Sequence, residues 1–239
     1  LTTEHSTSNR RRNNKLLGVM DKFIFNGYDE IVSISNATEK SLYSWIGGKK
    51  EKYAVIPNGV DLSIFENSFS IPRDEIGTEM EDIILMMVSR FHESKNHKGV
   101  IEALEYLPEK YKIVFVGDGI LEEDAKNYAK EKKLESRVRF LGKRRDVPNL
   151  LKTADIIIQF SFFEGFGITA VEGMASGKPV IASDVPGLAN VVSGGGIICP
   201  NDSKKLAEVI LSLEDRKLYN HTAEMCLKKS KEYSIENSA

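Results

Sequence analysis

The stretch Phe162–Ser183 reads FFEGFGITAVEGMASGKPVIAS. It follows a short apolar run and opens a segment with helical spacing. Gly165 and Gly167 let the backbone turn tightly and approach a ligand closely, because neither carries a Cβ. A helix beginning near Gly167, Ile168 and Thr169 offers unpaired N–H groups and the positive end of its dipole, which suits a phosphate. Glu164 sits in the turn before that helix, and Glu172 lies within its second turn. They stand eight positions apart, so they do not share a helix face, but they can flank one ligand from its two ends. Carboxylates accept hydrogen bonds from vicinal hydroxyls, which suits a sugar at Glu164 and a ribose at Glu172. On spacing alone, a capped helix whose glutamates face solvent explains the same residues equally well.

Working outward, short apolar runs recur at Ile83–Ser89, Lys112–Gly117, Arg137–Leu141, Asp155–Phe160, Pro179–Ala182 and Gly196–Cys199. Helical spacing fills 97–107, 120–133, 146–153, 167–177 and 186–192, and helices at 203–213 and 215–232 close the chain. Apolar runs alternating with amphipathic helices predict an α/β fold, with a doubly wound parallel sheet covered on both faces. Ligands of such sheets sit at the carboxyl ends of the strands. Ahead of this unit, the sequence predicts a helix around Lys15–Asn26 and a strand within Asp29–Ser35. A helix over 36–46 comes next, capped by Ser35 or Asn36. A strand from Tyr53 then runs into the Pro-Asn-Gly turn before Asp61. Residues 62–80 show no clean period, contain Pro72 and Gly77, and read as a linker. The division is therefore 1–61, a linker at 62–80, and a Rossmann-like unit at 81–239.

Three further stretches carry candidate chemistry. In VSRFHESKNHKG (Val88–Gly99), Arg90 and Lys95 stand five apart across a loop. They can clamp a diphosphate, one as a fork and one as a point charge, or simply form a solvated basic loop. His92, Glu93 and His97 suggest a zinc motif, but its two histidines need i, i+4 spacing on a helix, and these are five apart. In VFVGDGILEE (Val114–Glu123), Gly117 and Gly119 form a lone G-x-G, which a plain tight turn also explains. In RVRFLGKRRDVPNLL (Arg137–Leu151), Gly142 and Lys143 sit at a strand end, and Arg144 and Arg145 read as exposed.

Glu164–Ala175, followed by Gly177, Lys178, Pro179 and Val180, resembles the signature of the family 4 retaining glycosyltransferases. These have two facing Rossmann-like domains, the GT-B fold, and the motif E-G-F-G-x-x-x-x-E-A-M-A; here Gly173 replaces the first Ala. In that family the first Glu and the adjacent backbone hold the donor sugar, and the second Glu binds the ribose. The resemblance assigns these roles to Glu164, to the segment Gly165, Phe166, Gly167, Ile168 and Thr169, and to Glu172. Val88–Gly99 resembles the G-R-x-x-x-x-K loop, in which Arg and Lys neutralise the leaving diphosphate; Ser89 replaces the commoner Gly. The resemblance makes Arg90, Lys95 and Glu164 the catalytic set. It places Gly117 behind the nucleotide and Gly142 and Lys143 along the base. Ser183–Val192 resembles the loop G-G-x-P-E, with Gly187 fitting but Pro186 for a Gly and Asn190 where Glu is usual, so the resemblance carries over no carboxylate role there, while the segment can still contact the diphosphate or the acceptor edge. His5, within Thr2–Asn9, matches a histidine near the donor sugar. Val32–Lys40 and Val55–Asp61 look like the closing elements of the family's first domain.

The resemblance covers about residues 1–236. It implies that 1–61 is the end of an acceptor-side domain and that 81–239 binds the donor. The absence of a start Met agrees with a fragment of a longer chain. The expected reaction moves a sugar, with retention, from a UDP- or GDP-linked donor to an acceptor hydroxyl on a glycan or lipid-linked glycan, as in surface polysaccharide or glycolipid synthesis. Neither a cofactor nor a metal is implied, and the sequence has no DxD motif to hold one. The alternatives are a sugar-nucleotide epimerase of the same fold and a non-catalytic nucleotide-sugar-binding module. The epimerase would need acid/base carboxylates and a different signature; the module would lack Arg90, Lys95 or Glu164.

The composition of the 239 residues, 41% hydrophobic and 28% charged, is that of a globular protein, and the formal net charge of −2 argues against a general nucleic-acid binder. No apolar run is long enough to span a bilayer. Cys199 and Cys226 lie in no CxxC and read as reduced thiols of a cytoplasmic protein. Residues 1–60 carry nine Lys/Arg against six Asp/Glu, including the run Arg10, Arg11 and Arg12. This basic front either faces solvent or contacts an anionic acceptor or the inner face of a membrane.

Overall fold

The structure, a computed structural model, describes residues 1–5 and 15–237; the basic run at Arg10, Arg11 and Arg12 lies outside them. The first unit contains β1 (Thr2–Glu4), α1 (Lys15–Asn26), β2 (Ile31–Ser33), α2 (Asn36–Ile46) and β3 (Tyr53–Val55). Its strands form a parallel sheet in the order β1-β2-β3. Ser35 caps α2 in an extended conformation, and its Oγ accepts the Thr38 N–H at 3.1 Å. Leu42 and Ile46 of α2 pack on Ile31, with Phe25, Trp45 and Tyr53 around them.

Residues 62–80 run largely exposed and are anchored by a few side chains to the second unit, which begins at Ile83. They include the short helix α3 (Ser63–Glu66), whose Phe65 is buried, and a 3₁₀ turn at Arg73–Ile76, whose Ile76 is buried. The Arg73 guanidinium grips Asp155 at 3.0 and 3.1 Å, and the same carboxylate accepts the Ile84 N–H at 2.7 Å. Irregular spacing in the sequence concealed these anchors because they are single side chains rather than a periodic face.

The second unit alternates strand and helix: β4 (Ile83–Val88), α4 (His97–Ala103), β5 (Tyr111–Val116), α5 (Glu122–Glu131), β6 (Val138–Phe140), α6 (Val147–Thr153), β7 (Ile156–Gln159), α7 (Ile168–Ala175), β8 (Val180–Ser183), α8 (Leu188–Val192), β9 (Ile197–Cys199), α9 (Ser203–Ser212) and α10 (Arg216–Ser230). The six strands are parallel, in the order β6-β5-β4-β7-β8-β9. Ile84 and Met86 of β4 face a cluster shared with α6, α7, α8 and α10. Leu85 and Met87 face the opposite cluster, built with α4, α5 and α9. Burial on both faces is why the strands read as unbroken apolar runs. The strand order reverses between β4 and β7. The loops leaving those two strands therefore diverge and leave a crevice at the carboxyl end of the sheet.

After α10 the chain returns to the first unit. Val60 donates to the Tyr233 carbonyl at 2.8 Å, and Ile235 donates to the Val60 carbonyl at 2.9 Å.

Candidate functional site

The loop after β4 leads from Ser89 to Asn96, the N-cap of α4. It is fastened to the turn after β5 by backbone bonds: Phe91 N–H to Asp118 O at 2.9 Å and Leu121 N–H to Phe91 O at 3.2 Å. Both glycines of the lone G-x-G are needed for this contact. A Cβ on Gly117 would lie 2.1 Å from the Ser89 carbonyl oxygen, and one on Gly119 would lie 2.4 Å from that of Phe91. Gly117 N–H also donates to Gly142 O at 2.8 Å, which brings Gly142 and the exposed Lys143 to the same rim.

Arg90 is exposed on this loop. Lys95 is not paired alongside it as a second free cation; its ammonium forms an ion pair with Glu164, in a partly buried setting. The pair is framed by backbone bonds from Asn96 N–H to Phe160 O at 2.9 Å and from Phe162 N–H to Ser94 O at 2.8 Å. His97 is unavailable to a metal. Its ring is buried, stacks on Phe91 at 4.1 Å and bonds to Ser89 Oγ at 3.0 Å. Burial, with Lys95 nearby, pushes its pKa down to about 4. Among the described residues no three His, Cys, Asp or Glu side chains form a metal-binding group.

The loop after β7 carries Glu164–Gly167 into α7. Gly165 is buried, and a Cβ there would lie 2.5 Å from the carbonyl oxygen of His5. The first unit thus touches this loop through the His5 backbone, while the His5 side chain is exposed. Gly187, at φ +88°, meets the loop from the other side; a Cβ there would lie 2.5 Å from Glu164 O. Gly167 adopts φ +89° and opens α7 without a side-chain cap, so the first N–H groups of the helix point unclaimed toward the crevice. The Phe166 ring faces inward, edge-on to Tyr233 at 5.4 Å, leaving its backbone as the part that borders the crevice. Ile168 is exposed and Thr169 half-buried. Glu172 is half-buried on α7, and burial raises its pKa above the usual carboxylate value. Gly173 is explained by packing: a Cβ there would sit 2.9 Å from Ile157 Cγ2. Asn190 lines a groove of about 640 Å³ with Asn36, Lys40, Phe163 and Pro186.

The structure thus gathers Lys95, Glu164, Gly165 and Gly167 on one crevice, with Arg90, Gly117, Gly142 and Lys143 on the adjoining loops. Sequence reasoning missed Ser35 and Thr38, whose hydroxyls reach Gly165 O at 2.7 and 3.4 Å. The only local signal was that both residues open α2. Among the described residues no helix is long and apolar enough to cross a membrane.

Comparison with known proteins places this arrangement. The sequence profile described as "Glycosyl transferases group 1" matches residues 69–232. The UDP-Gal:alpha-D-GlcNAc-diphosphoundecaprenol alpha-1,3-galactosyltransferase of Escherichia coli is 33% identical over 190 residues, covering 74% of this chain and 49% of that protein. The N-acetyl-alpha-D-glucosaminyl L-malate synthase of Bacillus anthracis is 28% identical over 203 residues, covering 82% and 53%. The chain spans about half the length of the curated relatives it matches. Among solved structures, Anabaena HepE in complex with UDP superposes with a TM-score of 0.89 at 25% identity, covering 100% of this chain and 69% of that one. The fold is accordingly the α/β GT-B type, and the chain belongs to the group 1 glycosyltransferases.

Proposed function

We propose that residues 81–239 bind a nucleoside diphosphate sugar, that 1–61 close the acceptor side with 62–80 joining them, and that the complete protein transfers the sugar to an acceptor hydroxyl with retention. The observation that carries this reading is the Lys95–Glu164 ion pair across the strand-order reversal, beside the uncapped start of α7. An incoming diphosphate competes with Glu164 for the Lys95 ammonium. That releases the carboxylate from Lys95, turns it toward the sugar hydroxyls, and places the cation, with Arg90, where negative charge grows as the glycosidic bond breaks. The N–H groups of Gly167, Ile168 and Thr169 supply further donors. Glu172 receives the ribose hydroxyls, Gly117 backs the nucleotide, and Gly142 and Lys143 flank the base. The leaving phosphate oxygen serves as base for the incoming hydroxyl on the same face of the sugar.

A UDP-linked hexose is the favoured donor, since HepE was solved with UDP and UDP-glucose and the E. coli relative is named for UDP-Gal. The acceptor is a glycan or lipid-linked glycan met at the cytoplasmic face of a membrane, by analogy with that diphosphoundecaprenol-linked acceptor. Calorimetry of the chain with UDP, GDP and ADP in excess EDTA tests the donor site. Tightest binding to UDP is expected. No binding to any of the three would overturn the reading, and binding abolished by EDTA would overturn its metal independence.

A further inference from the structure

Ser35 performs two separable tasks. As the N-cap of α2 its Oγ accepts the Thr38 N–H, which is all the helix requires of it. Its own proton is left over, because a hydroxyl both accepts and donates. That proton goes to Gly165 O at 2.7 Å, and Thr38 Oγ1, which also hydrogen-bonds Ser35 Oγ at 2.9 Å, approaches the same carbonyl oxygen at 3.4 Å. Both residues are buried, and 130 positions separate Ser35 from its acceptor.

The acceptor is the carbonyl directly after Glu164. A peptide is planar, so fixing the direction of Gly165 C=O also fixes the Phe166 N–H. With it is set the entry of the chain into Gly167, whose positive φ starts α7. The opposite side of the loop is held by Gly187, against Glu164 O. We propose that Ser35 and Thr38 are positioning residues. Their hydroxyls couple the seating of the first unit to the conformation of the Glu164–Gly167 loop, so that Glu164 takes its working geometry toward the donor sugar only when the two units are docked. This rests on the transferase reading above. Both hydroxyls are buried and spent on the protein's own groups. Losing them therefore leaves a loop that still binds nucleotide but is poorly placed for transfer.

The test uses the full-length enzyme. Ser35→Asp keeps a good cap acceptor but cannot donate at neutral pH; Ser35→Gly keeps a tolerated cap and removes the hydroxyl; Ser35→Thr restores a donor; Thr38→Val removes the second donor without changing shape. For Ser35→Gly and Ser35→Asp, kcat at saturating donor and acceptor is expected to fall about tenfold, while the calorimetric Kd for UDP stays within about threefold, since a buried carbonyl has lost its donor. Thr38→Val shows a smaller fall, as its longer contact implies, and Ser35→Thr recovers most of the kcat. The proposal is overturned if kcat is unchanged in both Ser35→Gly and Ser35→Asp. It is also overturned if UDP affinity falls as much as kcat, which is the mark of general disruption, or if Ser35→Thr is as impaired as Ser35→Gly. Should Ser35→Asp fail to fold, Ser35→Gly decides. A wild-type enzyme that transfers no sugar and binds no UDP would sink the transferase reading instead.

Discussion

The two loops that face each other across the crevice are built in opposite ways. The loop after β4 leaves Arg90 exposed and holds Lys95 half-buried against Glu164, and its backbone bonds run to turns of its own unit, after β5 and β7. The loop after β7 is a sandwich, pressed by His5, Ser35 and Thr38 from the first unit and by Gly187 from its own. One loop presents side-chain charge, Arg90 in the open and Lys95 in an ion pair. The other works through backbone that three segments of chain hold in place. Substitution of the exposed Arg90 should therefore cost function with little stability, whereas substitution of the paired Lys95, or within the second loop, should cost both.

The largest effect is expected at the cations. In full-length enzyme, Arg90→Ala or Lys95→Ala should each lower kcat/KM by about 2–4 kcal/mol, the scale of one preorganised charge-stabilising donor. The double variant should cost less than the sum, because both act on one diphosphate. The structure separates the two. Arg90→Ala should leave the melting temperature alone. Lys95→Ala also removes one ion-pair partner of the partly buried Glu164 and should lower it. Steady-state kinetics and thermal melts of the three variants check this. Unchanged kcat in both single variants would return the β4 loop to a solvated surface.

Next comes the backbone sandwich. Gly187 and Gly142 both have positive φ, +88° and +63°, but a Cβ on Gly187 meets two carbonyl oxygens of the β7 loop, while one on Gly142 meets nothing within 4 Å. Gly142→Ala should cost only the conformational penalty, about 1 kcal/mol. Gly187→Ala adds overpacking against backbone that cannot yield, for a total of about 3 kcal/mol. Denaturant unfolding of the two variants gives the difference. Equal costs would show that the β7 loop is looser than its contacts indicate.

Much of this architecture was legible in the sequence. The parallel sheet was readable because each strand is buried on both faces, so apolar runs such as Ile83–Ser89 carry a local signal. The crevice followed from Glu164–Glu172 because glycines and carboxylates at fixed spacing announce a turn into a helix. What stayed hidden depends on partners distant in sequence. Arg73 reads as a linker charge until Asp155 is beside it. Arg137 reads as one more basic residue, yet its buried guanidinium donates to the carbonyls of Leu104, Leu107, Pro108 and Tyr111. Lys95 was read as facing a diphosphate, and only the fold shows that Glu164 holds it beforehand. The Phe166 ring was indistinguishable from a ligand contact until Tyr233 was placed against it.

A third effect sharpens the account of how the β4 loop is supported. His97 is stacked under that loop on Phe91, and its pKa is held down at about 4 against an ordinary 6.5. The folded chain thus refuses a proton that the unfolded chain accepts, so stability is full above the unfolded value and falls as pH drops toward the folded one. Between pH 7 and pH 5 this group alone should cost about 2 kcal/mol. His97→Phe should flatten that part of the stability–pH curve, which is measured by urea unfolding at both pH values. A slope as steep as wild type would mean that other groups carry the acid sensitivity.

The smallest effect, and the sharpest division between fold and function, is expected at Glu172. It sits on α7 behind the sandwiched loop, and burial alone raises its pKa. Its folded pKa lies above its unfolded value, so the burden of its charge on the fold grows as pH rises through the raised value. Glu172→Gln removes that burden and should leave the chain at least as stable as wild type at neutral pH. For the ligand the sign is opposite. Ribose hydroxyls donate, and the ionised carboxylate is their best acceptor, so UDP affinity of the wild type should strengthen as pH rises through the same raised value. Replacing the carboxylate by an amide weakens one such hydrogen bond, worth about 1 kcal/mol or about fivefold in Kd, and should flatten the pH dependence of binding. Calorimetry of UDP with both proteins between pH 5 and pH 8, together with their melting curves, measures the two signs side by side. A variant that binds UDP as wild type does at every pH would remove the ribose from Glu172 and leave that glutamate as a charge the helix merely tolerates.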